Sequence, residues 1–217
     1  LSAGSGVPVQ SSVVFDATIT FLVSPLLAGQ SLILNPQVSE IEAIHTALSA
    51  KTSLIKLTPA HLRALQPLLT AQPLAPEHLP KALIIGGEAL HAHHIHLWRT
   101  QYPDVALINE YGPTEAVVGC CVHWVSPNDR DNLPIGRPID GVQLYVLDQY
   151  LQPVPVGIPG ELYIGGAGVA RGYLNQPELT AERFIDNPFI ELGSRAQSSQ
   201  GSKLYKTGDL VCYQTDG

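Results

Sequence analysis

Methionine is missing from this chain of 217 residues, and cysteine occurs three times. An odd thiol count, with Cys120 and Cys121 adjacent and Cys212 far away, excludes a disulfide framework and lacks metal-site spacing. Buried reduced thiols in a cytoplasmic protein are the expectation. Charge is sparse as well: Asp, Glu, Lys and Arg make up 14% of the chain, and the net charge is −7. That balance excludes sequence-independent nucleic-acid binding, which needs a basic footprint. Long apolar runs are absent too. The most apolar window, 21–34, is broken by Ser24, Pro25, Gly29, Gln30 and Ser31 and is too short to span a membrane. No internal repeat is present.

What remains is an ordinary globular composition with 45% hydrophobic residues, enough for one large or two small domains. The first half alternates strand-like and helix-like segments. Apolar strands are expected at 31–34, 53–57, 82–85 and 105–108. Helices are expected at 38–50, from Thr58-Pro59 through Leu69, and to about Thr100. Repeated strand–helix units imply parallel strands with right-handed crossovers. Ligands of such sheets sit beyond the C-terminal strand ends. Gly86-Gly87-Glu88 and the segment from Asn109 to Glu115 both lie there.

After about residue 120 the pattern changes. Strands are expected at 117–125, 142–147 and 161–164, separated by Pro/Gly-rich turns and read as antiparallel. One short helix is expected at 177–184, with Asn175 as its cap, and a polar low-complexity loop at 193–202. The expected fold class is therefore α/β: a partial parallel-sheet subdomain over 1–120, then antiparallel β structure over 121–217.

Asn109-Glu110-Tyr111-Gly112-Pro113-Thr114-Glu115 carries the most chemical information. A strand end runs into a tight Gly-Pro turn bearing an aromatic ring, a hydroxyl and a carboxylate. The ring can stack on a base, the hydroxyl can bond a phosphate, and the carboxylate can hold a magnesium ion, which prefers hard oxygen ligands. Gly-Pro turns with polar neighbours are also common surface loops. Three further segments are present: Phe15-Asp16-Ala17-Thr18, the Gly-rich run from Gly160 to Tyr173, and Tyr205-Lys206-Thr207-Gly208-Asp209-Leu210.

In this order and spacing the four segments resemble the adenylate-forming superfamily, and within it the amino-acid-activating adenylation domains of non-ribosomal peptide synthetases. The resemblance runs from about Val13 to Gly217. It implies that 121–217 forms a distorted β-barrel. It also implies a phosphate loop with a Lys and a C-terminal lobe with a catalytic Lys, neither of which is visible here. With no Met present, the chain is expected to be an internal fragment that does not turn over alone.

The resemblance implies ATP and Mg2+ as cofactors. It assigns Thr114 and Glu115 to catalysis, Thr114 on the α-phosphate and Glu115 on the metal. Gly86, Gly87, Glu88, Asn109, Tyr111, Gly112, Thr114 and Asp209 would bind the nucleotide, with Asp209 on the ribose hydroxyls. Tyr111 is alternatively a core tyrosine, and Asp209 a turn former. Arg171 is given no catalytic role. The substrate wall carried over is Asp16, Ala17, Thr20, Lys56, Ile84, Gly86, Glu110, Val118 and Gly119. Asp16 would pair with the substrate α-amino group; it equally suits a helix N-cap.

Lys56 and Glu110 are unusual for buried parallel strands. Facing one pocket, they offer a donor and an acceptor, which a side-chain carboxamide satisfies, so Asn is the expected substrate. Ala17 leaves room that keeps Gln or another polar side chain open, while Glu110 would repel Asp. A purely structural Lys56–Glu110 ion pair is the alternative. The implied partners are an amino acid and the peptidyl carrier and condensation domains of a parent synthetase, with phosphopantetheine on the carrier. An acyl- or aryl-CoA ligase and an inert binding module are the competing functions; Asp16 separates the first, having no use without an α-amino group. The cluster His91, His93, His94 and His96 reads as a solvated helix face.

Overall fold

The computed structural model describes residues 6–9, 11–34, 39–130, 132–190 and 202–215. The chain opens with β1 (Val7–Val9), α1 (Thr18–Leu27), β2 (Leu32–Leu34), α2 (Glu40–Leu48), β3 (Leu54–Leu57) and α3 (Pro59–Ala71). It continues with β4 (Ala82–Gly86), α4 (Ala92–Gln101), β5 (Ala106–Tyr111), β6 (Cys121–Trp124), β7 (Arg137–Pro138), β8 (Val142–Leu147) and β9 (Gly160–Gly166). The last elements are α5 (Pro177–Arg183), β10 (Phe184–Asp186) and β11 (Lys203–Val211). Two compact units emerge: Leu1–Tyr111 with Val122–Gly136, and Gly112–Cys121 with Arg137–Gly217. The expected single boundary near 120 thus falls within a short segment, Gly112–Cys121, that groups with the second unit.

In the first unit β3, β4 and β5 are parallel, with Lys56 beside Ile84 and Gly86 beside Glu110 in the registers. Because side chains alternate across a sheet, the odd-numbered Ile55, Leu57, Leu83, Ile85 and Leu107 share one face. They form the main core with Leu48, Leu65, Ile95 and Trp98 from the helices. The even-numbered Leu54, Lys56, Ala82, Ile84, Gly86, Ile108 and Glu110 share the other face. There Leu54, Ala82 and Ile84 pack with Val7 and with Phe21 of α1.

The helices begin as their sequences dictate. Thr58 caps α3 reciprocally with His61, and Pro59 fills the first helical position, where no N–H is needed. Ser39 and Glu42 make the same box on α2. Position 38 of the expected helix lies outside the described residues. α1 has no comparable sequence signal: Ala17 precedes it without a side-chain cap, and Pro25 lies inside it.

In the second unit the antiparallel strands are ordered β10-β11-β9-β8. The implied barrel is corrected here: among the described residues these strands make an open sheet, with no closed barrel. The strand expected at 117–125 starts only at Cys121, because Val117 and Val118 adopt φ of 69° and 62°, which breaks the extended run. Asn175 is not the cap of α5; Gln176 holds that position, and Asn175 sits at φ 57°, a left-handed turn conformation that Asn tolerates. Of the loop expected at 193–202, residues 193–201 lie outside the described residues.

Candidate functional site

Five of the wall residues carried over by resemblance meet on the even-numbered sheet face and α1. Lys56, in the middle of β3, forms an ion pair with Glu110 of β5; Lys56 is buried and Glu110 partly buried, at 9% and 12% exposure. Lys56 Nζ also donates to Thr20 Oγ1 at 3.4 Å. Ile84 lies between Lys56 and Ile108 in the parallel register. Gly86 completes the row: a Cβ there would stand 2.6 Å from the Glu110 carbonyl oxygen, so only glycine lets β4 and β5 approach this closely. Asp16 and Ala17 lie just before α1, and the Asp16 carbonyl accepts from Ile19 N at 2.9 Å. The helix-cap alternative for Asp16 is corrected by position, since the cap residue is Ala17. Gly87 sits at φ 85°, and the Glu88 carboxylate lies 4.0 Å from the Arg63 guanidinium.

Asn109 is buried near the end of β5 and donates through Nδ2 to the Pro134 carbonyl at 2.7 Å. Tyr111 follows, half-buried. Past it, Gly112 has no room for a side chain: a Cβ would meet Val118 O at 2.6 Å and Cys120 N at 2.7 Å. Thr114 is exposed on the turn, while Glu115 is half-buried. Val118 and Gly119, the remaining wall residues, belong to the returning limb of this same turn. Two successive β-branched residues with positive φ, Val117 and Val118, make that limb strained.

Glu115 is held by partners far along the chain. Tyr173 Oη donates to Glu115 Oε1 at 2.5 Å, and Ala170 N donates to the Glu115 carbonyl at 2.8 Å. Burial, with hydrogen bonding to Glu115 and Tyr205 added, raises the Tyr173 phenol well above its ordinary value. Burial likewise raises Tyr205. Tyr173 packs edge-on against Phe184, whose ring lies 5.2 Å from that of Tyr205. The Gly-rich run and the Tyr205–Asp209 segment thus meet at the carboxylate of the Gly-Pro turn. Both tyrosines are in segments singled out from sequence, yet neither was assigned a role. The signal was there: an aromatic hydroxyl ends the first motif and opens the second.

Asp209 sits on the bulge where β11 shifts register against β9 between Lys206 and Leu210. Gly208, at φ 85°, makes that bulge possible. Thr207 Oγ1 donates to Leu162 O at 2.8 Å and accepts from Asp209 N at 2.9 Å, and Gly208 N donates to Glu161 Oε1 at 3.1 Å. Glu161 also accepts from Tyr163 Oη at 3.2 Å; burial first, and Glu161 second, push that phenol up to about 12. Asp209 shares an open depression of about 370 Å³ with Glu161, Arg183 and Lys206.

His91, His93 and His94 are engaged with one another, and His96 is exposed. His91 N donates to His94 Nδ1 at 3.2 Å, and the rings of His91 and His93 stack at 5.5 Å. Burial, then the neighbouring cations, lowers His94. Among the described residues no group of three or more His, Cys, Asp or Glu is arranged to hold a metal ion, and no helix is long and apolar enough to cross a membrane. Cys120 and Cys121 are buried, their sulfurs 3.7 Å apart.

Residues 5–174 match the family described as AMP-binding enzyme. The chain is 40% identical over 223 residues to tyrocidine synthase 3 of Brevibacillus parabrevis, covering 97% of this chain and 3% of that protein. It is 40% identical over 212 residues to bacitracin synthase 3 of Bacillus licheniformis, covering 95% of this chain and 3% of that protein. It therefore spans only a small part of either relative. Among solved structures it is similar to PA1221, described as a non-ribosomal peptide synthetase protein containing adenylation and PCP domains. The TM-score is 0.79 at 28% identity, over 99% of this chain and 42% of that one. The four motifs and the match of residues 5–174 lead to one conclusion: the chain belongs to the AMP-binding enzyme family.

Proposed function

We propose that this chain is part of an adenylation domain of a non-ribosomal peptide synthetase that activates an amino acid, Asn in the first instance. A substrate carboxylate oxygen attacks the α-phosphorus of ATP. An O–P bond forms, the bond to the bridging oxygen breaks, and pyrophosphate leaves as aminoacyl-AMP is made. The aminoacyl group then passes to the phosphopantetheine thiol of a carrier domain, with a condensation domain as the next partner. The likeness to PA1221, which holds adenylation and PCP domains, supports the carrier. A cytoplasmic setting fits the thiols and the nucleotide substrate.

The protein's task in such a reaction is positioning and charge stabilisation. Tyr111 stacks on adenine, while Gly86, Gly87 and Glu88 border it. Gly112 keeps the turn tight. Asn109, held through Nδ2 by the Pro134 carbonyl, would offer its remaining side-chain carbonyl to the nucleotide. Thr114 donates to the α-phosphate and Asp209 accepts from the ribose hydroxyls. Glu115 fits Mg2+, being a carboxylate with hard oxygens, one of them already aligned by Tyr173. The metal would supply neutralisation of phosphate charge.

The observation that carries the substrate reading is the Lys56–Glu110 pair with Thr20, on the sheet face that also bears Ile84 and Gly86. A carboxamide placed beside this pair can accept from Lys56 and donate to Glu110 in addition to their own ion pair. Asp16 would take the α-ammonium and Ala17 leave side-chain room, while Val118 and Gly119 are wall residues by the resemblance alone. Amino-acid-dependent ATP–pyrophosphate exchange tests this, run on the longest natural form of the protein that contains this chain. An Asn signal lost in Asp16→Ala and weakened in Lys56→Ala is expected. A signal peaking at another amino acid overturns the pocket reading but keeps the reaction. Activity only with acids lacking an α-amino group overturns the amino-acid reading in favour of a CoA ligase.

A further inference from the structure

We propose that Tyr173 is the positioning residue for Glu115, and that through this carboxylate it sets the affinity of the turn for a divalent cation bound with nucleotide. The inference rests on the reading of Glu115 as the metal-holding group. Its geometric basis lies wholly in the second unit. Glu115 lies within a turn fixed by the glycine at 112 and by the strained limb at Val117 and Val118. A carboxylate on so short a turn has its side-chain torsions to lose when it meets a cation. The Tyr173 hydroxyl removes that freedom by donating to Oε1 at 2.5 Å. Oε2 is then oriented by the plane of the carboxylate.

Tyr173 is itself immobilised from three directions. Its backbone N donates to Thr180 Oγ1 of α5 at 2.9 Å. Gly172, at φ 139°, lies so close to Thr180 that a Cβ would approach within 2.3 Å of the threonine methyl. The Tyr173 ring meets Phe184 nearly perpendicularly, at 5.4 Å. Tyr173 touches neither phosphate nor substrate in this scheme; it acts through Glu115. Hydrogen-bonded groups behind a ligating carboxylate alter metal affinity by about 10–100-fold when removed.

The test is Mn2+ binding followed by electron paramagnetic resonance, in the full-length protein with a non-hydrolysable ATP analogue. Tyr173→Phe keeps the ring and removes only the donor. Its apparent Mn2+ dissociation constant is expected to rise about 10–100-fold, with the amino-acid KM of exchange unchanged and the rate recovering at high metal. Glu115→Gln is expected to lose at least as much, and the double variant no more than Glu115→Gln alone. Thermal melting checks the fold, and Thr180→Val, which loosens only the anchor of Tyr173, serves if Tyr173→Phe does not fold; a smaller rise in the same direction is expected. Unchanged Mn2+ affinity in Tyr173→Phe, with affinity lost in Glu115→Gln, overturns the positioning role alone. Unchanged affinity in Glu115→Gln overturns the metal reading and the proposal with it.

Discussion

At the scale of single residues, Asp129 shows how a carboxylate clips a loop to its neighbours. Its Oδ2 accepts from His123 Nε2 and from Ser126 N, both at 2.7 Å, and lies 3.9 Å from the Arg99 guanidinium. Arg99 in turn donates to the carbonyls of Ser126 and Asp129. Burial pushes the Asp129 carboxyl up, but the hydrogen bonds from His123 and Ser126, helped by the nearby charges, leave it below its ordinary value. A carboxyl depressed in the folded state contributes stability that is fully present above its unfolded value, about 3.9. That contribution is lost as pH falls through the folded value. Asp129→Asn is therefore expected to lose about 1–3 kcal/mol at neutral pH, with the gap to wild type closing in acid. Urea titrations at pH 7 and at about pH 2, below the folded value, read this directly. A gap independent of pH would show that shape, not charge, holds the clip.

At the scale of elements, the turn from Gly112 to Gly119 depends on the close backbone approach at Gly112. The obstruction facing a Cβ at 112 is backbone, Val118 O and Cys120 N, and backbone cannot rotate aside. Gly112→Ala is expected to cost about 1–3 kcal/mol and to abolish nucleotide binding; a variant that melts and binds as wild type would refute the close packing. The turn also shows where sequence patterning ends. β3, β4, α3 and β8 were legible because period and caps agreed: Thr58-Pro59 starts α3, and 142–147 alternates as β8 does. α1 was not, because Ala17 offers no capping side chain and Pro25 lies inside it. The β-branched Val117 and Val118 read as strand, yet closing the turn forces both to positive φ. Propensity lost there to tertiary geometry.

At the scale of the whole molecule, legibility follows sequence distance. The Gly-Pro turn announces its own chemistry, whereas the bond between Glu115 and Tyr173 joins residues 58 apart and leaves no local period to detect. The Lys56–Glu110 pair was legible as an anomaly, two charges in apolar strands, because the parity of a parallel sheet places them on one face. Long-range organisation also divides the chain into two units whose segments alternate in sequence, since Val122–Gly136 returns to the first after Gly112–Cys121 has entered the second. Each unit has its own core: Leu65, Leu83 and Trp98 in the first, and Leu147, Tyr163 and Leu204 in the second. Separate cores imply separate opening reactions. Leu65→Ala, at a fully buried position, removes about 2–5 kcal/mol from the first core. Native-state hydrogen exchange is expected to quicken across α2, α3, α4 and β3 to β5, while amides of β8, β9 and β11 keep their protection. Equal acceleration in both sets would mean that the two cores open as one cooperative structure, with the repeated chain crossings enforcing the coupling.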